Sequence, residues 1–159
     1  VDNQEGRKKM RRFFLLGLLV AAALLTGCPV DQNLEDIGNT DITIDDVKGE
    51  WDFKNVKIGE TTYEYVHLSI LPPTEDWPYV GVDLHLGHED AYDGPFYIGD
   101  GTMEGNKFAG DYIQQIPYDD TEHNLTITFS LLGEELRAEF DTKGPLEGLV
   151  LKYGIKSED

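Results

Sequence analysis

The side chains best suited to bind another molecule lie at alternate positions of two polar and apolar runs. In residues 61–71 and 79–87, aliphatic side chains alternate with polar and aromatic ones. If each run is a strand, its aliphatic side chains lie on one face and its aromatic and imidazole groups on the other. If the runs are neighbouring strands, these groups form one wall that can stack on a ring and exchange hydrogen bonds, because side chains repeat on one face every two residues. The candidate ligand-binding residues are Tyr65, His67, Tyr79 and His85.

The aliphatic face of the same two runs competes for the interior of the fold. Burial of apolar surface contributes about 25 cal/mol per Å², so the face with more apolar area should point inward. We therefore expect a filled or nearly filled interior, and an open cup lined by the four candidates is the alternative. The competing aliphatic residues are Val66, Leu68, Ile70, Val80, Val82, Leu84 and Leu86.

Catalytic and metal chemistry have few candidates in this sequence. Cys28 is the single cysteine, and none of the serines stands in a Gly-x-Ser-x-Gly or Ser-x-x-Lys context. A run of nitrogen and oxygen ligands lacks a recognised zinc or calcium spacing. We expect no catalytic residues, no metal and no cofactor. The ligand run comprises His85, His88, Glu89, Asp90 and Asp93.

The first 28 residues have the features of an export leader. Arg11 and Arg12 precede a charge-free apolar run over residues 13–25, which is too short as a helix to cross a hydrocarbon core of about 30 Å. The run ends in Leu25-Thr26-Gly27-Cys28, which resembles the lipobox of bacterial lipoproteins. The resemblance implies alkylation of the Cys28 thiol with diacylglycerol, cleavage before Cys28, acylation of the new amino group, and attachment to a membrane of the cell envelope. Pro29 in place of Asp favours the outer membrane if the cell has one.

The charge balance narrows the choice of partners. Residues 1–27 contain five basic and two acidic residues, so within the total of -18 the part from Cys28 onward carries a formal charge of -21. Such a surface repels phosphate backbones, and we expect no nucleic-acid partner. With its cysteine taken by lipid, the mature chain must be held together by its core rather than by disulfides.

Turn signals recur every 8 to 12 residues after position 48, and no stretch holds a helical period, which is typical of an all-β sandwich or barrel. We divide the chain into a signal peptide (1–27), a lipidated acidic tether (28–47) and a β domain (48–159), and the alternation at Ile42 and Ile44 predicts a short strand at the end of the tether. About eight strands joined as an antiparallel meander are predicted over residues 50–57, 61–71, 79–87, 94–99 with 102–103, 107–116, 125–132, 135–140 and 146–155.

Two motifs resemble the lipocalin or calycin superfamily. They are Gly49-Glu50-Trp51 at the first strand and the hairpin over residues 101–112, with a closing strand from Leu146. The resemblance implies an up-and-down barrel that Trp51 plugs at one end, with an apolar cup at the other; a β-sandwich is the alternative. In that family a basic residue stacks on the Trp, and Arg137 and Lys152 are candidates on chemistry alone.

Two functions of different classes remain open. In the first, the domain is non-catalytic and acts by contact with another protein of the cell envelope. In the second, it binds or transports a small apolar ligand or lipid inside the barrel, which needs roughly 300 Å³ of concave space. Carboxylates are too plentiful in this chain for their presence to indicate an enzyme.

Overall fold

An eight-stranded sheet makes up most of residues 38–88 and 93–157, the part of the chain that the computed structural model describes. In chain order the elements are α1 (Ile44–Val47), β1 (Gly49–Ile58), β2 (Thr61–Leu71), β3 (Val80–Gly87), β4 (Phe96–Glu104), β5 (Lys107–Ile116), β6 (Asp119–Leu132), β7 (Glu135–Thr142) and β8 (Val150–Lys156).

The sheet closes into a barrel. Each strand pairs antiparallel with the next along the chain, and β8 returns to pair with β1. This confirms the predicted all-β, up-and-down meander, and the β-sandwich alternative is wrong because the sheet closes on itself. The first hairpin turns at Gly59 and Glu60, where Gly59 has a φ of 61° that favours glycine. Ile58 pairs with Thr61 across this turn, which sets the register of the whole β1–β2 ladder.

The interior of the barrel is packed with aliphatic and aromatic side chains. Along β2 and β3 the branched aliphatic residues point inward, because this arrangement removes the larger apolar area from water. Leu68 and Ile70 have no exposed surface, and aromatic rings from β1, β5 and β6 lie beside them in the same cluster. These rings are Trp51, Phe53, Phe108, Tyr112 and Phe129.

One end of the barrel is covered by the chain that precedes β1. Thr43 and Asp46 form a capping box that begins the single turn α1. This places Ile42 and Val47 in the core, at 3% and 0% exposure, and Asn39 forms a bridge with Leu131 of β6. Residues 38–47, interpreted from sequence as the end of a tether, therefore pack on the barrel, and the segment around Ile44 is helical rather than extended.

β2 and β5 have their predicted bounds, β1, β3 and β7 differ from theirs by one or two residues at an end, and β4, β6 and β8 differ by more. β4 runs unbroken through Gly99 and Gly101, and β6 begins six residues earlier than the alternation of residues 125–132 indicated. β8 begins at Val150 because Leu146 and Leu149 reach the core from a turn rather than from a strand. Apolar residues that are buried by a turn imitate a strand pattern in sequence.

The predicted leader, Cys28 and residues 29–37 lie outside the described residues. Within the described part of the chain, no helix is both long and apolar enough to span a bilayer.

Candidate functional site: a histidine row on the outer wall

A line of side chains crosses six strands on the outer face of the barrel. Each member lies directly opposite the next in the strand registers, so neighbouring side chains share one face. The face points outward because Val66, Leu68 and Leu84, which flank the two histidines along β2 and β3, are buried. We name this line the histidine row, and it consists of Ile155, Asp52, His67, His85, Phe96 and Ile116.

The polar centre of the row is a hydrogen-bonded chain. His67 Nδ1 donates to Asp52 Oδ1 at 2.7 Å, since an ionised carboxylate can only accept. Ser157 Oγ donates to the other oxygen, Asp52 Oδ2, also at 2.7 Å. The His67 side chain is only 15% exposed although it lies on the outer wall. The imidazole is therefore held in one orientation, with Nε2 lying 3.9 Å from Glu50 Oε2.

His85 continues the row as a stacked ring. Its centroid lies 3.8 Å from that of Phe96 at an interplanar angle of 29°, and 6.4 Å from His67 in an edge geometry. Burial, and secondarily the charge of His67, lowers the pKa of His85 from its usual value. His85 is consequently a neutral, partly desolvated ring at neutral pH, suited to stacking and to a single hydrogen bond.

The arrangement does not form a nucleophile and base pair of the serine hydrolase type. Ser157 and His67 are bound to opposite oxygens of the Asp52 carboxylate, so the carboxylate separates the hydroxyl from the imidazole. In a catalytic triad the imidazole instead lies between the two. The contacts hold these side chains in fixed orientations on the outer wall.

Both ends of the row are apolar and exposed. Ile155 is 65% exposed and Ile116 57% exposed, and Phe96 lies between Ile116 and His85. In the adjoining row Asp83 borders the histidines, and burial followed by the nearby Asp100 raises the pKa of its carboxyl. The result is a surface with partly buried polar groups at its centre and aliphatic groups at its edges.

The four predicted ligand-binding residues do not form one wall. His67 and His85 are neighbours in the row, but Tyr65 lies in the next row, with Lys54 Nζ 5.7 Å from its ring centroid. Tyr79 precedes β3, is 48% exposed, and packs edge-on against Trp77 at 5.7 Å. Among the described residues of β2 and β3, the side chains that point into the barrel are aliphatic. The four residues therefore do not line a cup inside the barrel, and that alternative is wrong.

One small cavity lies among β6, β7, β8 and the segment that precedes β1. This cavity of about 10 Å³ beside β8 is lined by Gly38, Arg137, Lys152 and Tyr153, among others. That volume holds about one water molecule, whereas ligand sites measure roughly 300 Å³ or more.

The predicted run of metal-ligand types is divided by the fold. His85 belongs to the row, and His88 instead stacks on Tyr63 with centroids 5.4 Å apart. The backbone N–H of His88 donates to Asp93 Oδ1. Within the described residues no group of three or more such side chains converges on a point, and Glu89 and Asp90 lie outside them.

Trp51 lies at the covered end of the barrel. It is 3% exposed, and its Nε1–H donates to the carbonyl of Val47 at 2.7 Å. The cation beside its ring is Lys156, whose Nζ is 5.4 Å from the ring centroid, so both sequence candidates were wrong. Lys156 pairs directly with Trp51 across β1 and β8, whereas Arg137 is bound to Glu139 and Lys152 lies on the outer wall.

Asp52, Ser157 and Phe96 belong to the site but were not identified from sequence. The opposition of Asp52 and His67 follows from the Gly59-Glu60 turn by counting back along both strands, so that signal was present. The place of Ser157 depends on the closure of the barrel between β1 and β8, which no local pattern encodes.

Comparison with protein-family models, with curated proteins and with solved structures returned no match for this chain. The closed eight-stranded barrel is consistent with the lipocalin-like architecture that Gly49-Glu50-Trp51 suggested.

Proposed function

We propose that this protein is a lipocalin-like lipoprotein, anchored to the cell envelope through Cys28, that acts without catalysis by binding another envelope protein through the histidine row. In a cell with two membranes the proposal places it at the outer one, as Pro29 favours.

The observation that carries the proposal is the composition of the row. Its centre is partly buried and is oriented by the Asp52 to His67 hydrogen bond, and its ends expose the aliphatic side chains of Ile116 and Ile155. Protein interfaces combine such oriented polar groups with aromatic and aliphatic contacts, and bury them together.

The packed interior favours this function over ligand transport. Burial of the aliphatic face fills the place that a lipid or apolar ligand would need, and the cavity beside β8 measures only about 10 Å³. An environment-sensitive apolar dye should accordingly show no saturable binding to the protein up to about millimolar concentration, and stoichiometric binding would favour the transport alternative.

Site-specific photo-crosslinking in living cells tests the contact function. A photoreactive amino acid at position 96 or 116 should yield one adduct of constant mass, because both positions lie in the row on β4 and β5. The matched control is Ala109, which is exposed on β5 and lies opposite Thr126 rather than in the row.

The variant His85→Ala, combined with the photoreactive group at position 116, should reduce the adduct several-fold. Adducts of equal yield at positions 109 and 116, or none at position 116, would contradict the proposal.

A further inference from the structure

The barrel closes through a short ladder. β1 pairs with β8 only at Trp51 with Lys156 and at Asp52 with Ile155 among the described residues. On its other edge β1 is paired as far as Ile58. The backbone of β1 beyond Asp52 and that of β8 before Ile155 therefore face each other without a ladder. We name this stretch, residues 53–58 and 150–154, the seam.

A bulge and a ring account for the missing ladder. The β7–β8 register shifts between Leu136 and Ala138, and Tyr153 has a φ of 62°, which is uncommon for a residue other than glycine. Beside the bulge, the Phe53 ring lies against Gly154 so closely that no Cβ could be accommodated there. The Phe53 ring thus joins the two strands where the ladder ends. Phe53 and Leu151 are both buried.

The surface over the seam is apolar where β8 bulges. Tyr153 is 54% exposed and Val150 38% exposed, and Ile155 at the adjoining end of the histidine row is 65% exposed. Unpaired strand edges bordered by apolar side chains are the surfaces on which an added strand docks, because main-chain hydrogen bonds supply affinity and alternate side chains supply specificity.

The seam also concentrates positive charge on an acidic domain. Half of the eight basic residues after Cys28 lie on its two strands, namely Lys54, Lys57, Lys152 and Lys156. All four side chains are exposed. Lys54 and Lys156 lie over the rings of Tyr65 and Trp51, and within the described part of the chain none of the four forms a salt bridge, unlike Lys48, Arg137 and Lys143.

We propose that the seam binds an extended acidic segment of a partner polypeptide. The partner's carboxylates contact Lys54, Lys57 and Lys152, and its backbone pairs with residues 53–58 of β1 where the weakly paired β1–β8 edge separates. The charge of -21 on the mature chain repels an acidic segment elsewhere, so the local lysines determine where the segment docks. This inference takes from the proposed function only that the partner is a polypeptide, and it does not require the histidine row.

Fluorescence anisotropy tests the inference with the full chain purified in neutral detergent. The probe is a fluorescein-labelled decapeptide of alternating Glu and Thr, which is acidic and favours an extended backbone. It should bind saturably at low ionic strength, and binding should weaken with added salt because the four lysines are exposed to solvent. A decapeptide of alternating Glu and Pro carries the same charge but lacks most backbone donors, and it should bind several-fold more weakly.

Charge reversal locates the site. The double variant Lys54→Glu with Lys152→Glu should weaken binding of the Glu-Thr peptide about ten-fold or more, because two attractions become repulsions. The control with the same change in net charge is Lys107→Glu with Lys143→Glu, which alters exposed lysines away from the seam and should change the affinity less than about two-fold. Thermal unfolding of both variants shows that the fold is retained.

The possible results separate this inference from the proposed function. Equal losses in the two double variants, equal binding of the Glu-Pro peptide, or no binding of the Glu-Thr peptide would each overturn strand docking at the seam. Adducts formed through position 116 would still support the histidine row in those cases. If no adducts form through position 116 but the Glu-Thr peptide binds the seam, the contact function of the histidine row is contradicted and the inference about the seam stands.

Discussion

Replacement of Trp51 tests whether this side chain holds the covered end of the barrel together. The ring is 3% exposed, its Nε1–H donates to the Val47 carbonyl at 2.7 Å, and Lys156 Nζ lies 5.4 Å from its centroid. Trp51→Ala removes all three interactions together and leaves a cavity where β1 meets α1. The second tryptophan, Trp77, is 50% exposed beside Tyr79 and provides an internal control.

The expected loss follows from the size of the buried side chain. Substitution of a buried Phe or Trp by Ala typically reduces the free energy of unfolding by about 3 to 5 kcal/mol, a range that includes the cavity left behind. A domain of this size has a total stability of about 5 to 15 kcal/mol, and 1 kcal/mol corresponds to roughly 4 °C in melting temperature. Trp51→Ala should therefore lower the melting temperature by about 12 to 20 °C.

Thermal and urea unfolding, followed by far-ultraviolet circular dichroism, measure the effect. Trp77→Ala should reduce the free energy of unfolding by less than about 1 kcal/mol, because its ring already contacts water. Trp51→Phe keeps an aromatic ring but loses the donor to Val47, and it should lie between the two. A loss below about 1 kcal/mol for Trp51→Ala, or equal losses for both tryptophans, would refute the assignment of Trp51 as the plug.

Two further predictions concern a buried phenol and the lipid anchor. Burial, with smaller contributions from Tyr63 and Tyr112, raises the pKa of Tyr97 to about 12. The native state therefore retains a proton that the unfolded chain releases near the ordinary tyrosine pKa of about 10. Because of this difference, the free energy of unfolding should fall as the pH rises from about 10 to 12. Tyr97→Phe should flatten that fall in urea unfolding at a series of pH values, and an unchanged slope would contradict the assignment. Cys28→Ala should abolish labelling by a fatty-acid probe and leave an uncleaved precursor, since the chain has no other thiol; undiminished labelling of the variant would contradict the anchor.

The strands could be predicted because alternation and turn residues are local properties. β2 and β5 have their predicted bounds, since Gly59-Glu60 and Gly105-Asn106 flank runs in which apolar and polar residues alternate. Area arguments also indicated which face of β2 and β3 is buried, because seven branched residues outweigh the histidines and tyrosines on the opposite face. These inferences needed no knowledge of how distant strands meet.

The elements that sequence reasoning missed depend on contacts far apart in the chain. α1 is one turn long, too short for a helical period to register, and it is held by the Thr43 and Asp46 cap and by burial of Val47. The close approach of β4 to β5 at Gly101 and Gly110, where a side chain on either residue would meet backbone, carries no periodic signal. Lys156 could be matched to Trp51 only once β8 was placed beside β1.

The same short ladder joins the covered end of the barrel, the histidine row and the seam. Trp51 with Lys156 holds the covered end, and Asp52 with Ile155 forms the adjoining part of the histidine row. The seam begins where these two pairs end. Because the β1–β8 edge has so few ladder hydrogen bonds, it should open at a lower free energy than the β1–β2 edge, and regions of low local stability are those from which binding surfaces are drawn. The plug and the row therefore contain the two pairs of this ladder, and the Ser157 N–H, which donates to the Glu50 carbonyl at 2.9 Å, extends the contact by one hydrogen bond. The rest of the edge is the part that we propose to separate when a partner strand binds.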